Sequence, residues 1–434
     1  MRHSLPLLAC LAVLSPGPAR AQDLQADIAA LRSELTALRR EVDALKTQLA
    51  QREQASAASP PSLEVLQAQV AEQAQTKVES ASRFPLKIAG SIVSTTFLNS
   101  GNPNWLDIPN IARPTAAGTD DGTFTSSLRQ SRLGFEVGGL ELGAWRAAGA
   151  LTFDFFGGIP GVNTGQTMGL PRLLYAFARI ETNGVSVLVG QDEAIVAPRN
   201  PTSLAAFASP ALIRSGNLYM RVPQVRVEGR VRTGSHGTLR AIGGITAPIA
   251  GDMSDTYTFI PPALAGERSE RPAVQGRAVW EFARDERHAL SLGVSGHQSS
   301  PEFVDGKDSW IGAIDLDAQW RWLGVAGEAF TSDHAGAFTA GLGQQARSGG
   351  GWMEVRMAPA ARWLVAAGGG TDRVSDATGQ GVTLARNASG FGALRFALTP
   401  ELMLGMEYFH LQTTPVSGAV RRNNHLNWVL RYDF

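Results

Sequence analysis

Arginine recurs in the first half of this sequence at positions that could bind an anion. The guanidinium group presents a planar fork of donors that matches a carboxylate or a phosphate in a bidentate geometry. Neighbouring arginines on one surface would therefore attract small anions. The alternative is that each arginine pairs with a nearby acid and only stabilises the wall that carries it. The arginines are Arg129, Arg132, Arg146, Arg172, Arg221, Arg226 and Arg230, and the candidate acids are Glu136, Asp154 and Glu228.

A second group of charged residues lies at or near the ends of a long connection, residues 193–220. The group consists of Asp192, Glu193, Arg199 and Arg214, and the connection contains three prolines. A connection of this length without secondary structure is usually either functional or disordered. Folded into the protein, it would narrow an interior passage and set its charge. Left outside, it would be an ordinary surface loop.

The elements that position these residues follow a period of two from Phe84 onwards. Short connections alternate with long ones, and about sixteen amphipathic segments can be counted, which is typical of bacterial outer-membrane barrels. An even number would return the C-terminus to the side where the chain enters. The predicted strands are 86–98, 127–138, 143–156, 171–181, 185–192, 221–232, 238–247, 272–283, 288–298, 309–321, 323–332, 351–358, 362–371, 389–398, 402–412 and 424–434.

The alternation gives each segment one apolar face and one charged face. Val225, Val227 and Val231 share one side of their segment, which places Arg226 and Arg230 on the other. An arginine facing lipid at mid-bilayer costs about 2–4 kcal/mol, so the charged faces must line an aqueous lumen. The sequence thus predicts an all-β transmembrane barrel with antiparallel strands and a charged pore lining.

The last segment shows the same pattern. Trp428, Leu430, Tyr432 and Phe434 alternate with polar residues, and the sequence ends on the aromatic residue. As an edge strand of a soluble sheet, such a segment would be an aggregation site in water. It is better explained as the closing strand of the barrel.

The N-terminus has the parts of a secretory signal over residues 1–21. A basic start precedes a short apolar run, and Ala19-Arg20-Ala21 matches an A-x-A cleavage site. Leu7-Leu8-Ala9-Cys10 also looks like a lipoprotein box, but little apolar sequence precedes it. Cleavage after Ala21 would remove Cys10, the only cysteine, and with it any disulfide, thiol catalysis or cysteine-ligated metal.

Residues 22–54 carry a heptad seam, which predicts an α-helical coiled coil. The seam alternates spacings of four and three residues, with acids and bases at the flanking positions of a parallel assembly. Dimer and trimer both fit the residues of the seam. Residues 55–83 are predicted to be a Ser/Pro linker and a short helix, and the barrel domain is 84–434. The seam residues are Leu24, Ile28, Leu31, Leu35, Leu38, Val42, Leu45 and Leu49.

Composition and motifs exclude several other functions. Lysine plus arginine and aspartate plus glutamate both number 39, which argues against nucleic-acid binding. The sequence has no H-E-x-x-H, G-x-S-x-G or P-loop pattern, and no cofactor is expected. Ser295 and His297 could share one side of a strand and serve a barrel enzyme, whose activity Ser295→Ala would then abolish, but His297 is predicted to face inwards.

In its order of segments, the chain resembles the DcaP-like trimeric outer-membrane porins of Gram-negative bacteria. The motifs behind this resemblance are Ser127–Phe135, Val189-Gly-Gln191 before the third long loop, Arg221-Val-Pro-Gln-Val-Arg226 after it and Tyr432-Asp-Phe434. The resemblance implies a homotrimer in outer-membrane lipid with a periplasmic coiled coil, and uptake of small anionic solutes such as dicarboxylates. It places the family's lumenal arginines at Arg129, Arg132, Arg221 and Arg226. The apolar stretch Leu204–Phe207 departs from the family's expected pattern.

Two functions are therefore weighed. The first is a porin that passes small hydrophilic solutes by diffusion, with a preference for anions set by the arginines and the third long loop. The second is a structural outer-membrane anchor whose coiled coil binds a periplasmic partner.

Overall fold

The computed structural model of the protein describes residues 36–37, 39–44, 46–47, 86–115, 121–158, 169–251, 262–303, 305–376 and 381–434. The predicted signal peptide and the predicted linker with its short helix lie outside these residues. Contacts divide the chain into two units, Met1–Lys77 and Val78–Phe434, and each is considered by itself. Within the described residues, no helix is both long enough and apolar enough to span a membrane.

The described part of the first unit is helical. Residues 36–37, 39–44 and 46–47 are all in helix and exposed to solvent. The Thr47 hydroxyl donates to the carbonyl of Asp43 at 2.8 Å, a bond to the preceding turn that is common for threonine in helices. These helical residues agree with the helix that the predicted coiled coil requires. Association of such helices between chains stays a prediction.

The second unit is built from antiparallel strands in one sheet. The strands are β1 (Leu86–Asn99), β2 (Thr123–Ser127), β3 (Arg132–Leu142), β4 (Trp145–Asp154), β5 (Arg172–Thr182), β6 (Val185–Glu193), β7 (Arg221–Arg232), β8 (Gly237–Thr246), β9 (Ala273–Asp285), β10 (His288–Ser299), β11 (Ser309–Trp320), β12 (Leu323–Asp333), β13 (Ser348–Ala360), β14 (Trp363–Val374), β15 (Leu384–Ala397), β16 (Leu402–Pro415) and β17 (Arg421–Asp433). A short helix α1 (Ala265–Arg268) precedes β9.

The sheet closes on itself. β1 pairs with β17 along one edge and with both β2 and β3 along the other. From β3 onwards each strand pairs with the next. Because β2 and β3 together occupy one position, the seventeen strands form a closed barrel with sixteen positions. The predicted antiparallel barrel of about sixteen strands is confirmed.

The predicted second strand, 127–138, needs a correction. The chain turns between β2 and β3, where the Ser131 amide donates to the Leu128 carbonyl at 3.0 Å. The Ser131 hydroxyl then accepts a bond from the Val93 amide of β1 at 3.0 Å, in place of a ladder partner. The Ser131 side chain thus connects β1 to the turn between β2 and β3. The alternation of residue types continues through this turn and so does not reveal it.

The outer face of the barrel is apolar. Val225, Val227 and Val231 of β7 are 41%, 49% and 64% exposed, as the alternation predicts. On β17, Trp428 and Leu430 are exposed, while Asn427 and Val429, which alternate with them, point inwards and are buried. Such a belt is suited to hydrocarbon and not to water.

The two ends of the barrel differ. At one end, which we call the turn end, connections of two residues such as 183–184, 286–287 and 361–362 join the strands, and Phe434 lies there as well. The opposite end, the loop end, carries the long connections. The predicted alternation of short and long connections is therefore present.

Candidate functional site

Residues 194–220, which we call the internal loop, leave β6 and fold into the barrel. Their backbone amides donate to side chains of the inner wall: Ile195 to Gln275 at 2.8 Å, Ala197 to Ser295 at 3.1 Å. Further along, the Leu204 amide donates to Glu407 at 2.9 Å. Of the two alternatives for this connection, interior and surface, the structure has the interior one.

The internal loop needs these wall acceptors because it has no strand of its own to satisfy its backbone. Buried amides without partners are costly, so each acceptor stabilises one position of the loop. Gln130 illustrates this, since its amide oxygen accepts from the amides of Phe207 and Ala208 at 2.7 and 3.1 Å. The side chains of the wall that accept loop amides are Gln130, Gln275, Ser295, Glu328, Glu354 and Glu407.

The apolar stretch Leu204–Phe207 packs against one side of the lumen. Leu204 and Ala205 belong to a buried cluster with Trp352, Phe391 and Phe409 of the inner wall. Inward side chains of β10 to β17 are largely buried in this way, whereas those of β4 and β5 remain partly exposed. The open side of the lumen therefore lies along the strands that carry the early arginines.

Arg132 and Arg221 lie near enough at the edge of the internal loop for their charges to interact. Nη2 of Arg132 donates to the carbonyl of Phe207. The Arg221 guanidinium lies between two aromatic rings, 4.9 Å from the centroid of Tyr175 and 5.0 Å from that of Tyr219. Within the described residues, neither arginine has a carboxylate within salt-bridge distance. Asp154 and Glu193 stand opposite Arg132 and Arg221 on the neighbouring strands. Asp154 pairs with Arg172 and Glu193 accepts from the Tyr175 hydroxyl, so neither acid forms an ion pair with these two arginines.

Three buried polar atoms around this pair have no hydrogen-bond partner among the described residues: Nε of Arg132, Nε of Arg221 and the hydroxyl of Tyr219. Burial raises the pKa of the Tyr219 hydroxyl, so this group is a neutral donor. The Tyr175 hydroxyl differs, because it donates to Oε1 of Glu193 at 2.8 Å. Free donors beside two guanidinium groups are suited to an oxyanion.

Arg129 has a structural partner instead. Its Nη2 lies 2.8 Å from Oδ1 of Asp107, in the loop between β1 and β2, and both side chains are almost fully buried. The guanidinium also lies 4.3 Å from the ring centroid of Phe156. Burial raises the pKa of Asp107, and Arg129 opposes that shift. An arginine enclosed in this way is not available to a passing solute.

Arg226 and Arg199 lie on the wall of a cavity of about 270 Å³ beside the start of the internal loop. Arg226 pairs with Asp192 at 2.8 Å. Arg199 pairs with Asp315 at 2.9 Å and with Asp317 at 3.1 Å. Acids match the arginines here, so the cavity has no uncompensated positive charge.

The remaining predicted residues lie apart from the Arg132–Arg221 pair. Arg230 is half-exposed and pairs with Glu228 at 2.6 Å. Arg146 is exposed beside the turn that joins β3 to β4. Arg214 lies in the internal loop with its guanidinium beside Gly343, and its carbonyl accepts from Asn387 at 3.1 Å.

Ser295 and His297 both point inwards, as predicted for His297, but they do not form a catalytic pair. The Ser295 hydroxyl accepts from the Ala197 amide at 3.1 Å and so holds the internal loop. His297 lies against Phe338, and its Nε2 is 3.4 Å from the Ser299 hydroxyl. No hydrogen bond joins the two described side chains to each other.

No protein-family model and no curated protein matches this sequence. Among solved structures, the barrel is similar to the outer membrane channel DcaP of Acinetobacter baumannii, with a TM-score of 0.60 and 16% identity over 81% of this chain and 99% of that chain. It is also similar to an anion-selective porin from Comamonas acidovorans, with a TM-score of 0.52 and 12% identity over 81% of this chain and 100% of that chain. A loop L8 deletion mutant of OmpT, an outer membrane protein of Vibrio cholerae, gives a TM-score of 0.51 at 9% identity, over 81% and 100% of the two chains. The chain thus has the fold of the DcaP channel, and the predicted resemblance to the DcaP-like porins is confirmed for the barrel.

Proposed function

We propose that the protein is an outer-membrane porin that passes small hydrophilic solutes by diffusion and prefers anions such as dicarboxylates. The observation that carries the proposal is the Arg132–Arg221 pair, which lies at the edge of the internal loop without a described carboxylate partner. A positive constriction attracts anions and repels cations through electrostatics, and no catalytic step is needed. One barrel with this fold is described as an anion-selective porin, in line with this proposal.

The other predicted arginines have a different role in this proposal. Arg129, Arg172 and Arg226 each pair with an acid, at 2.7 to 2.8 Å, and so stabilise the wall and the loops. Of the seven arginines singled out in the sequence, Arg132 and Arg221 would dominate the selectivity. The aromatic rings on both sides of Arg221 would hold its guanidinium in place by cation–π contact while leaving its edge free for a carboxylate.

The outer surface supports the membrane location. Exposed valine, leucine and tryptophan form the belt, and on β7, for example, the charged side chains of Arg226 and Glu228 point into the lumen. We place the coiled coil of residues 22–54 in the periplasm. The barrel has an even number of strand positions, so its first and last strands both have their outer ends at the turn end. The heptad seam would then associate three chains into a trimer.

Planar bilayer recordings of the full-length mature chain under a salt gradient test the proposal. A trimer should give conductance steps in threes and a reversal potential that shows anion preference. Arg132→Gln and Arg221→Gln should each reduce that preference. Arg146→Gln removes the same charge from the exposed turn end and should leave the reversal potential nearly unchanged.

Two outcomes would contradict the proposal. A chain that inserts but never conducts would exclude the porin and favour the structural anchor with a periplasmic partner. A conducting channel whose reversal potential is unaffected by Arg132→Gln and Arg221→Gln would exclude this site as the origin of selectivity. Deletion of residues 22–83 should preserve conduction and abolish the steps in threes. If the protein were an anchor, the same deletion would abolish binding of the periplasmic partner.

A further inference from the structure

Three arginines lie on the outer surface of the barrel at its loop end. Arg373 of β14 stands directly opposite Arg386 of β15 in the ladder, and Arg422 lies two strands further, on β17. Their side chains point away from the lumen, because the alternate residues Asp372 and Asn387 are buried inside. All three arginines are exposed.

This arrangement is unfavourable for the barrel alone. Like charges directly opposite each other on neighbouring antiparallel strands repel. Within the described residues, none of the three arginines is within salt-bridge distance of a carboxylate. The outward-facing positions of β14 to β17 contain no aspartate or glutamate. Among the described residues no carboxylate forms an ion pair that offsets this repulsion, whereas an external anion would offset it.

Neutral polar side chains accompany the arginines. Nε of Arg386 donates to the Thr371 hydroxyl at 3.2 Å, which holds the guanidinium against the outer surface. Thr414 lies opposite Arg386 on β16, and Gln412 lies opposite Arg422. Hydroxyl and amide groups are the usual additional donors around a phosphate. The three arginines with Thr371, Gln412 and Thr414 are called the outer arginine patch below.

The patch borders the apolar belt. On β17, the outward positions run from Arg422 through Asn424 to Leu426, Trp428 and Leu430, and so from charge to hydrocarbon-compatible residues. A group bound here would sit at the depth where lipid headgroups meet water. A freely diffusing anion has no reason to choose this border, whereas a lipid phosphate is held there by its acyl chains.

We propose that the outer arginine patch binds the phosphates of a phosphorylated lipid in the leaflet at the loop end. Arg373 and Arg386 would share one phosphate through charge-assisted bonds, which removes their mutual repulsion. Arg422 is about 12 Å from Arg386, across two strand spacings and two residues along the strand, so it would serve a second phosphate of the same lipid. The inference rests on the proposed membrane location but not on the conduction of solutes.

The test counts lipid bound to the full-length protein. Native mass spectrometry of the detergent-purified chain with diphosphorylated lipid A should detect retained lipid in the wild type. Arg373→Gln/Arg386→Gln should weaken retention about ten-fold or more, because two charge-assisted contacts to one phosphate are lost. Arg271→Gln is the matched control, since Arg271 is also exposed at the loop end but has Glu267 and Glu270 close by. It should retain lipid like the wild type.

Two further arms separate the possible ligands. Lipid A without phosphates should bind the wild type as weakly as diphosphorylated lipid A binds the double variant. Millimolar inorganic phosphate should compete poorly, because it lacks the acyl chains.

Arg386→Lys, which keeps the charge, should recover part of the retention and guards against a folding defect in the double variant.

Equal retention of lipid by the wild type and the double variant would overturn the proposal. So would a double variant that keeps its lipid but loses its trimer, since the patch would then face a second copy of the chain. The double variant Arg373→Gln/Arg386→Gln and the variant Arg386→Lys should both conduct like the wild type, because the patch lies outside the lumen. A wild type that binds lipid without conducting would reject only the proposed porin function, and one that fails to enter vesicles would reject the membrane location.

Discussion

Asp315 of β11 accepts hydrogen bonds from two arginines at the same oxygen. Nε of Arg199, on the internal loop, lies 2.9 Å from its Oδ1, and Nη2 of Arg277, on β9, lies 2.7 Å from it. The Asp315 side chain is 1% exposed. Asp317, two residues along the same strand, accepts from Nη1 of Arg199 at 3.1 Å but is 29% exposed. The internal loop is thus fixed to the wall by one deeply buried carboxylate and one partly solvated carboxylate.

This difference predicts unequal effects of two similar substitutions. Asp315→Asn would leave two arginines facing each other without their shared anion, and should lower the free energy of unfolding by about 3–5 kcal/mol. Asp317→Asn should cost less, about 1 kcal/mol, since water reaches the ion pairs of Asp317 with Arg199 and Arg356. Urea unfolding of the barrel in lipid vesicles measures both. Equal losses would mean that Asp315 does not fix the loop.

Gly216 is predicted to be essential for the course of the internal loop. Its φ is +102°, and a Cβ there would collide with the backbone of Gly351 on β13. Gly216→Ala should therefore displace the loop and change single-channel conductance. Gly234→Ala is the control, since Gly234 has a φ of +100° but open space around it. Both variants have the same backbone strain, so conductance altered equally in both would contradict a steric cause.

The carboxylate of Glu407 is predicted to hold the apolar part of the loop. Oε2 accepts from the Leu204 amide at 2.9 Å, and the Ser203 hydroxyl also donates to the group at 2.9 Å. Glu407→Leu would leave these donors unsatisfied, at a cost of about 1–3 kcal/mol for each buried group. Glu407→Gln keeps one acceptor oxygen and should be milder. Current noise in bilayer recordings would show a loosened loop, and it should be stronger for leucine than for glutamine.

The sequence predicts the barrel well because strand pairing and lipid exposure both act with a period of two. The predicted segment 221–232 coincides with β7, and most other predicted boundaries agree within three residues. The inward position of Arg132 and Arg226 follows from the same alternation. The split between β2 and β3 does not, because one serine side chain in place of a ladder bond leaves the residue pattern intact.

Which partner each arginine contacts could not be predicted from this alternation. The partner of Arg129 is Asp107, which lies in a loop without periodicity. Tyr175 faces Arg221 because an extra residue in β5 shifts the register between Thr152 and Phe153. Such an irregularity reverses the faces of the residues beyond it, and nothing in the local sequence marks it. Tyr219 was missed although it lies two residues before Arg221, since a loop residue has no assigned face.

Tyr219 offers a way to separate solute binding from general charge selectivity. Tyr219→Phe keeps the aromatic ring beside the Arg221 guanidinium and removes only the buried hydroxyl that has no partner among the described residues. The reversal potential in potassium chloride should stay the same, because no charge changes. Half-saturation of the current by a dicarboxylate should rise about five- to ten-fold, which corresponds to one lost hydrogen bond.

Arg221→Lys is the complementary variant. Lysine keeps the charge but lacks the planar fork that binds a carboxylate with two parallel bonds. The reversal potential should again be preserved while dicarboxylate affinity falls. If Tyr219→Phe and Arg221→Lys both bind dicarboxylate like the wild type, the pair acts only as a diffuse positive field and not as a binding site. If both lose affinity at constant ion selectivity, the solute contacts these side chains directly as it passes the internal loop.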